Sequence, residues 1–243
     1  YSIKNPEVYF KNNLLAFFNM LEACKNFKIK HLLSASSSSV YGANKKIPSS
    51  VKDIADHPIQ FYAATKRSNE ILAHSYSYLY KLPVTLIRFF TVYGPWGRPD
   101  MALFLFVKNI LKNKPINVYN FGNHSRDFTY VDDAVNGVVK ALNKNPKKNK
   151  KWNPKNPDPS SSIAPFKIIN LGSSKKINLM EYIKTIEKIL GKKAIINFSE
   201  LQKGDIKDTL ADTTETKKYL NFKPKAKLYK GISKFIEWYK NYY

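Results

Sequence analysis

The amino-acid sequence predicts an α/β fold built on a parallel sheet, and two patterns along the chain support this prediction. Segments with apolar residues at helical spacing alternate with short runs that are almost continuously apolar. Strands of a parallel sheet are covered by helices on both faces, so they are apolar at successive positions rather than at alternate ones. The 243 residues are enough for one large domain or for two interleaved domains.

The expected elements alternate along most of the chain. Helical periodicity predicts a helix over residues 5–27, introduced by Pro6, and a second helix over 61–80. Further helices are expected over 100–114, in the second part of 127–144, over 178–193 and over 227–243. Strands are expected at 29–36, 82–94, 116–122, the start of 127–144, 166–173 and 194–200. Because parallel sheets bind ligands at the carboxyl ends of their strands, the residues that end the first two strands are candidates for a site.

The net charge of +23 is the most unusual feature of the composition. A strongly basic chain raises nucleic acid as a partner. However, the basic residues form no stripe interleaved with aromatic side chains, and the densest run, 143–158, is rich in proline and asparagine, as in a solvated loop. We therefore expect no nucleic-acid partner. We expect no membrane partner either, because the longest apolar run is too short to cross a bilayer, and the single cysteine, Cys24, fits a reducing cytoplasm.

Arginine is rare in this lysine-rich chain and occurs only at positions 67, 88, 98 and 126. A planar guanidinium binds carboxylates and phosphates through two parallel hydrogen bonds, so each arginine is a candidate for an anion site. Arg98 and Arg126 follow glycine-containing turns. Arg67, beside Lys66 on a helix, and Arg88, inside a strand, are expected to form structural ion pairs. The histidines show no metal-ligand spacing, so we expect no metal site.

Three residues make the most specific chemical pattern. Tyr62 and Lys66 are four positions apart on an expected helix, which places both side chains on one helical face. An ammonium close to a phenol favours the phenolate form, which can act as a general base. Ser37 belongs to a run of serines that ends the first expected strand. A strand-end hydroxyl and a helical tyrosine can share one substrate oxygen, and this combination is far more specific than either part.

The sequence around these residues resembles a known family, the NAD-dependent epimerases and dehydratases of nucleotide sugars, which are extended short-chain dehydrogenases/reductases. Within that family it most closely resembles UDP-glucuronate 4-epimerases. The matching stretches follow the family order over almost the whole chain and cover residues 35–42, 56–70, 88–106, 126–135, 156–172 and 203–212.

The resemblance implies a Rossmann-like parallel sheet with a smaller, interleaved substrate-binding domain. The NAD-binding domain is expected to comprise residues 1–97 and 126–172. The nucleotide-sugar-binding domain is expected to comprise residues 98–125 and 173–243. A homodimer is also implied, in which the helices over 6–27 and 62–80 pack against their copies.

The resemblance further implies roles for individual residues. Tyr62 would take the proton of the sugar C4 hydroxyl, Lys66 would bind the nicotinamide ribose, and Ser37 would share the C4 oxygen. Arg98 would select the glucuronate carboxylate, and Arg126 would hold the diphosphate. The residues implied near the NAD cofactor are Asn12 or Asn13 and Phe90. The other implied substrate contacts are Ser38, Ser39, Thr91, Tyr119, Gln202 and Asp205.

The implied reaction is the NAD-dependent epimerisation of UDP-glucuronate to UDP-galacturonate through a 4-keto sugar. One part of the family pattern is absent from these 243 residues, namely the turn Gly-x-x-Gly-x-x-Gly that lets the backbone approach the cofactor pyrophosphate. We therefore expect this chain to be an incomplete fragment that lacks the first strands of the sheet and exposes a strand edge. Alone, it is expected to bind NAD weakly and to be inactive.

The sequence leaves two alternative hypotheses. One is a UDP-glucose 4-epimerase or another nucleotide-sugar epimerase or dehydratase. The dehydratases of the family carry an acidic pair just before the tyrosine, and the serine run 36–39 together with Arg98 argues against them here. The remote alternative is a non-catalytic basic binding protein, which would leave Ser37, Tyr62 and Lys66 without a role.

Overall fold

The computed structural model describes residues 2–202 and 204–243, which divide into two compact units. The first unit comprises residues 2–90, 136–171 and 211–222. The second comprises residues 91–135, 172–210 and 223–243. Each unit is therefore assembled from three segments that are distant in sequence.

All the helices and strands expected from the sequence are present, together with two elements that were not expected, β7 and α7. In chain order the elements are α1 (Pro6–Tyr9), a π-helical segment (Phe10–Leu15), α2 (Ala16–Asn26), β1 (Leu32–Ser37), α3 (Phe61–Tyr80), β2 (Val84–Phe89), β3 (Thr91–Tyr93), α4 (Ala102–Leu111), β4 (Ile116–Tyr119), β5 (Ser125–Tyr130), α5 (Val131–Leu142), β6 (Phe166–Leu171), β7 (Lys176–Asn178), α6 (Leu179–Leu190), β8 (Ile196–Ser199), α7 (Thr214–Leu220) and α8 (Leu228–Tyr242).

The first unit contains the expected parallel sheet. Its strand order is β1-β2-β6, and all three strands run in the same direction. The central strand β2 is buried from Val84 to Arg88, which explains why its sequence is apolar at successive positions. Among residues 2–202 and 204–243, no strand pairs with the second edge of β1. The expected exposed strand edge is therefore present at β1.

The helix expected over 5–27 is interrupted by the π-helical segment Phe10–Leu15. A π-helical turn holds more residues than an α-helical turn, so it rotates the faces that follow it and breaks the simple helical spacing. Phe17 and Leu21 of α2 are buried, whereas the equally apolar Val8 and Phe18 are exposed. The apolar residues of this helix consequently form two faces rather than one.

The single strand expected over 82–94 is divided between two sheets. β2 ends at Phe89 in the first unit, whereas β3 begins at Thr91 and pairs with β5 in the second unit. Between them, the N–H of Phe90 donates to the carbonyl of Leu171 (3.0 Å). An apolar run does not reveal such a division, because it does not show which distant strand pairs with each half of the run.

The second unit contains a small sheet of order β3-β5-β7 and a separate parallel pair, β4-β8. β3 is parallel to the central β5, and β7 is antiparallel to it. The core of this unit is rich in aromatic rings, among which Phe128 of β5 stacks on Tyr182 of α6 with ring centres 4.1 Å apart. Buried Asp127 accepts hydrogen bonds from Ser173 and Ser174, which fixes the chain ahead of β7.

Three further features of the described residues are the hydropathy of the helices, the grouping of potential metal ligands and the burial of the cysteine. No helix in the described part of the chain is long and apolar enough to cross a membrane. Residues 2–202 and 204–243 contain no cluster of three or more histidine, cysteine, aspartate or glutamate residues able to hold a metal ion. Cys24 is buried in α2.

Candidate active site

The site residues expected from the sequence fall into two groups, one in each unit. The first unit carries Asn12, Asn13, Ser37, Ser38, Ser39, Tyr62, Lys66 and Phe90. The second unit carries Thr91, Arg98, Tyr119, Arg126, Gln202 and Asp205.

Tyr62 and Lys66 lie together on one face of α3, as their spacing predicts. The Lys66 Nζ lies 6.0 Å from the centre of the Tyr62 ring and donates to the carbonyl of Ala35 (3.1 Å). Burial lowers the pKa of Lys66. Ala35 is exposed and lies two residues before the end of β1. The pair is therefore held next to the carboxyl end of β1.

The serine run is an ordered turn rather than a flexible linker. Ser37, the last residue of β1, is buried, and its Oγ accepts a hydrogen bond from the N–H of Ser39 (3.1 Å). This bond caps the short 3₁₀ turn Ser38–Tyr41, in which Ser38 and Ser39 are half-buried. A hydroxyl that accepts one hydrogen bond keeps its own proton to donate. Ser37 can therefore cap the turn and still donate to a ligand.

A buried ion pair fixes this region of α3 against the sheet. Glu70, one turn beyond Lys66, accepts two hydrogen bonds from Arg88 of β2 at 2.9 and 2.8 Å. The same carboxylate accepts from the hydroxyl of Ser36 (2.6 Å) and from Arg67 (2.9 Å). The structural roles expected for Arg67 and Arg88 are therefore confirmed. Because Glu70 bonds to β1 and β2 together, it sets the rotation of the helix that carries Tyr62 and Lys66.

The residues expected near the cofactor differ in how many hydrogen bonds they make within the protein. The Asn13 amide donates to the Thr65 hydroxyl of α3 (2.9 Å), and the Asn13 carbonyl accepts from Asn69 (3.3 Å). Asn12, its neighbour in the π-helical segment, is exposed. Such segments occur frequently at functional sites. Phe90 is buried in a small cluster with Tyr41, so its expected position beside the nicotinamide stays a prediction.

A cavity of about 440 Å³ lies entirely within the second unit. Four residues expected to bind substrate line it, namely Thr91, Tyr119, Arg126 and Asp205. Much of the remaining wall is apolar and includes Leu105, Phe106, Ile116 and Phe128. A mostly apolar cavity with a few convergent polar groups is typical of a small-molecule site.

Arg126 contributes a positive charge to this cavity. One terminal nitrogen donates to the Asp205 carboxylate (2.9 Å), and the other donates to the carbonyls of Ser125 (3.1 Å) and Lys207 (2.9 Å). The Arg126 side chain is 18% exposed, so an anion in the cavity can reach the guanidinium. Gln202 is exposed and does not line the cavity; its carbonyl accepts from the N–H of Asp205 (3.0 Å). Lys203, within the same motif, lies outside the described residues.

Arg98 is bonded at the edge of the cavity. Its guanidinium donates to both carboxylate oxygens of Asp100, with Nε 3.0 Å from Oδ1, and Asp100 itself lines the cavity. Both side chains are mainly exposed, 75% for Arg98 and 64% for Asp100. The bidentate geometry expected of Arg98 is therefore present, but the carboxylate that it binds is its own neighbour.

Sequence reasoning missed several polar residues of the cavity wall. Asn109 of α4, Asn117 of β4 and His124, just before β5, all line it. His124 is 7% exposed, and its Nδ1 is buried without a hydrogen-bond partner in the described part of the chain. Its position two residues before Arg126 could have indicated it, since such residues share one side of an extended chain.

Comparison with known proteins places this chain among close relatives. The sequence model of the NAD dependent epimerase/dehydratase family matches residues 1–153. Protein CapI of Staphylococcus aureus is 50% identical over all 243 residues, which cover 73% of CapI. A probable UDP-glucuronate 4-epimerase of Rhizobium meliloti is 46% identical over all of this chain and 72% of its own.

A solved structure agrees with the sequence matches. It is the UDP-glucuronic acid 4-epimerase of Bacillus cereus in complex with UDP-glucuronic acid and NAD. The two chains are 34% identical, with a TM-score of 0.82 over 96% of this chain and 69% of that one.

Proposed function

The chain belongs to the NAD dependent epimerase/dehydratase family, and from this premise we propose that it carries out the C4 epimerisation of UDP-glucuronate to UDP-galacturonate. The observation that carries the proposal is the pairing of Tyr62 with Lys66 beside the serine turn that ends β1. The resemblance to the Bacillus cereus enzyme, which binds UDP-glucuronic acid and NAD, supports the choice of substrate and cofactor.

Proton movement is assigned to the first unit. Tyr62 takes the proton of the C4 hydroxyl when the sugar is oxidised and returns it when the 4-keto sugar is reduced. The Lys66 ammonium stabilises the phenolate that Tyr62 must become. The Ser37 hydroxyl donates a hydrogen bond to the C4 oxygen, while its oxygen continues to accept the hydrogen bond from the Ser39 N–H that caps the 3₁₀ turn.

The residues of the first unit fit the nicotinamide end of NAD. Lys66 places an ammonium beside Ala35 near the end of β1, and Tyr62 and exposed Asn12 offer further polar groups. When bound there, NAD would supply the hydride acceptor for oxidation of sugar C4 and the hydride donor for reduction of the 4-keto sugar. For the pyrophosphate we find no glycine-rich turn in this sequence, so we propose that this chain binds NAD weakly. Titration calorimetry tests this, and micromolar binding by the 243-residue chain would contradict it.

Holding the nucleotide is assigned to the second unit. Arg126 binds the diphosphate, Tyr119 and Asp205 face the uridine, and Arg98 binds the carboxylate of the glucuronate. The cavity around Arg126 has room and apolar wall for a nucleoside. The diphosphate is held firmly, so the 4-keto sugar can rotate in the site between the two hydride transfers.

A homodimer in the cytoplasm completes the proposal. The π-helical segment, α2 and α3 enclose an open apolar groove of about 470 Å³, lined by residues that include Phe10, Leu15, Phe18 and Ile71. Each of these four side chains is exposed. Burial of such a surface against a second copy is favourable.

Turnover of nucleotide sugars by the full-length protein tests the function. With saturating NAD, UDP-glucuronate should yield UDP-galacturonate, and Tyr62→Phe should lower kcat by about 10²–10⁴-fold, because the general base is lost. Tyr78→Phe is the matched control, since Tyr78 is also on α3 and lies near a lysine, Lys81. Conversion of UDP-glucose but not of UDP-glucuronate would instead support the UDP-glucose 4-epimerase alternative.

A further inference from the structure

We propose that Tyr41 and Asn170 are positioning residues for the reaction. Their buried hydrogen bond holds the end of the serine turn (residues 37–41), and it thereby fixes the Ser37 hydroxyl where that group donates to the sugar C4 oxygen. The inference rests on the proposed function, because it takes the role of Ser37 from there. It adds two buried residues that are not among the assigned contacts to substrate or cofactor.

The serine turn is anchored on both sides of Ser37. On one side, the hydroxyl of Ser36 donates to the Glu70 carboxylate of α3 (2.6 Å). On the other side, the hydroxyl of Tyr41 donates to Oδ1 of Asn170 in β6 (2.7 Å). The Ser37 Oγ is joined to the backbone through a single carbon and accepts a hydrogen bond within the turn, so its position follows that of the backbone between the two anchors.

The orientation of the Asn170 amide is fixed by its other partners. Its Nδ2 donates to the carbonyls of Ser49 (2.8 Å) and Asp212 (3.1 Å), which occupies both amide hydrogens. Oδ1 therefore faces Tyr41 and can only accept, so the Tyr41 hydroxyl has to be the donor. Burial raises the pKa of Tyr41, and the phenol consequently keeps the proton that this bond needs.

Arg88 of β2 connects the two anchors. Its guanidinium donates to Glu70 at 2.9 and 2.8 Å, and its Cζ lies 4.8 Å from the centre of the Tyr41 ring. A cation over the face of an aromatic ring is favourable, and more so when both groups are desolvated, as Arg88 and Tyr41 are. The buried groups thus form one continuous frame from α3 through β2 to the end of the serine turn.

This frame gives Tyr41 an effect that has to pass through Ser37. Tyr41→Phe keeps the ring but leaves the Asn170 Oδ1 buried without its donor, which is unfavourable and loosens one anchor. The Ser37 hydroxyl is then displaced rather than removed, and a misplacement of about 1 Å can cost about a hundredfold in rate. Where residue 37 has no hydroxyl, there is nothing for Tyr41 to position.

A double-mutant cycle in the full-length protein, with saturating NAD, tests the inference. Tyr41→Phe should lower kcat about tenfold and change the KM for the nucleotide sugar less than about twofold, because the diphosphate is assigned to Arg126. In the Ser37→Ala background, the same substitution should lower kcat less than about twofold.

Tyr93→Phe is the matched control, since Tyr93 belongs to the second Val-Tyr-Gly sequence of the chain. Its hydroxyl lies 3.5 Å from the carbonyl of Leu228 in the second unit, so its removal should leave kcat unchanged.

The outcomes are distinguishable. Equal losses of kcat from Tyr41→Phe with and without the Ser37 hydroxyl would show that Tyr41 serves only the fold, which overturns the inference and leaves the proposed function standing. Unchanged kcat in Tyr41→Phe or in Ser37→Ala overturns it as well. Failure of the wild-type protein to turn over UDP-glucuronate or UDP-glucose contradicts the proposed function and the inference with it. If Tyr41→Phe does not fold, Asn170→Ala takes its place in the same cycle, with the same expected dependence on Ser37.

Discussion

Arginines of the two units form ion pairs in opposite surroundings. In the first unit Arg88 and Glu70 are both 1% exposed. In the second unit Arg126 is 18% exposed beside Asp205, and Arg98 is 75% exposed beside Asp100. All three guanidinium groups donate to a carboxylate at hydrogen-bonding distance. Contact with a carboxylate alone therefore does not distinguish the structural arginine from those assigned to a ligand.

The difference in exposure determines what each pair can do. No ligand can reach Arg88, so its bonds to Glu70 hold α3 against β2 and serve the site only by positioning. Arg126 and Arg98 can exchange their present carboxylate for an anion from solution, because water and solutes reach them. Substitution by methionine at each position should therefore separate stability from binding, with the stability effect falling as exposure rises.

Arg88→Met should have the largest effect on stability. It leaves the Glu70 carboxylate buried without its main partner, which costs about 3–5 kcal/mol of the free energy of unfolding. Chemical denaturation measures this. The double variant Glu70→Gln with Arg88→Met removes both charges and should recover part of the loss. A midpoint for Arg88→Met close to that of wild type would show that the buried pair does not hold the sheet and helix together.

The same pair sets an expected response to acid. Burial alone would raise the pKa of Glu70, but the hydrogen bonds and charge of Arg88 outweigh it and hold that pKa below its ordinary value. A carboxyl group with a lowered folded-state pKa stabilises the fold above its unfolded-state pKa, and this stability is lost as the pH falls through the folded-state pKa. In Arg88→Met, protonation of Glu70 removes the buried charge that has lost its partner, so the stability difference between this variant and wild type should shrink as the pH falls, which denaturation at several pH values measures.

Arg126→Met should change binding more than stability. The variant loses hydrogen bonds to Asp205 and to two carbonyls that are partly solvated, and we expect a loss of about 1 kcal/mol in the free energy of unfolding. The affinity for UDP-glucose should fall about 10–100-fold, because the bidentate donor to the diphosphate is gone. Arg126→Lys keeps the charge but loses the planar guanidinium, so its affinity for UDP-glucose should lie between those of wild type and Arg126→Met. Unchanged affinity in Arg126→Met would exclude Arg126 from the nucleotide site.

Most of the helices and strands could be predicted from the sequence because the patterns that specify them are local. The helix α3 and the strands β1, β2 and β6 are specified by apolar period and length, and each was expected. The division between β2 and β3 at Phe90 was not predictable, because it depends on which distant strand pairs with each half. The short elements β7 and α7 were missed for a related reason. Three or seven residues carry too little periodicity to stand out from a loop.

The site was predictable where a motif fixes it and not where tertiary contacts do. Tyr62 and Lys66 share a helical face by geometry, so their approach follows from spacing. His124 has no motif, and its burial and unpaired Nδ1 arise from α6 and the cavity wall. Arg98 and Asp100 are only two positions apart in the sequence. Even so, the sequence does not show whether the guanidinium binds Asp100 or a ligand.

Arg98→Met should have the smallest effect on stability and the most selective effect on binding. An exposed ion pair contributes little, so the free energy of unfolding should stay within about 0.5 kcal/mol of wild type. If Arg98 binds the uronate carboxylate, the variant should lose about tenfold in affinity for UDP-glucuronate and nothing for UDP-glucose.

Asp100→Asn is the complementary test, because the Asp100 carboxylate occupies the Arg98 N–H groups that a ligand carboxylate would need. Hydrogen bonding to Arg98 lowers the pKa of Asp100, so the competing group is ionised at neutral pH. Removing its charge should therefore strengthen UDP-glucuronate binding a few-fold, opposite in sign to Arg98→Met. Equal losses for both nucleotide sugars in Arg98→Met would assign Arg98 to the shape of the cavity edge, and the uronate preference would have to come from Ser38, Ser39 or Thr91.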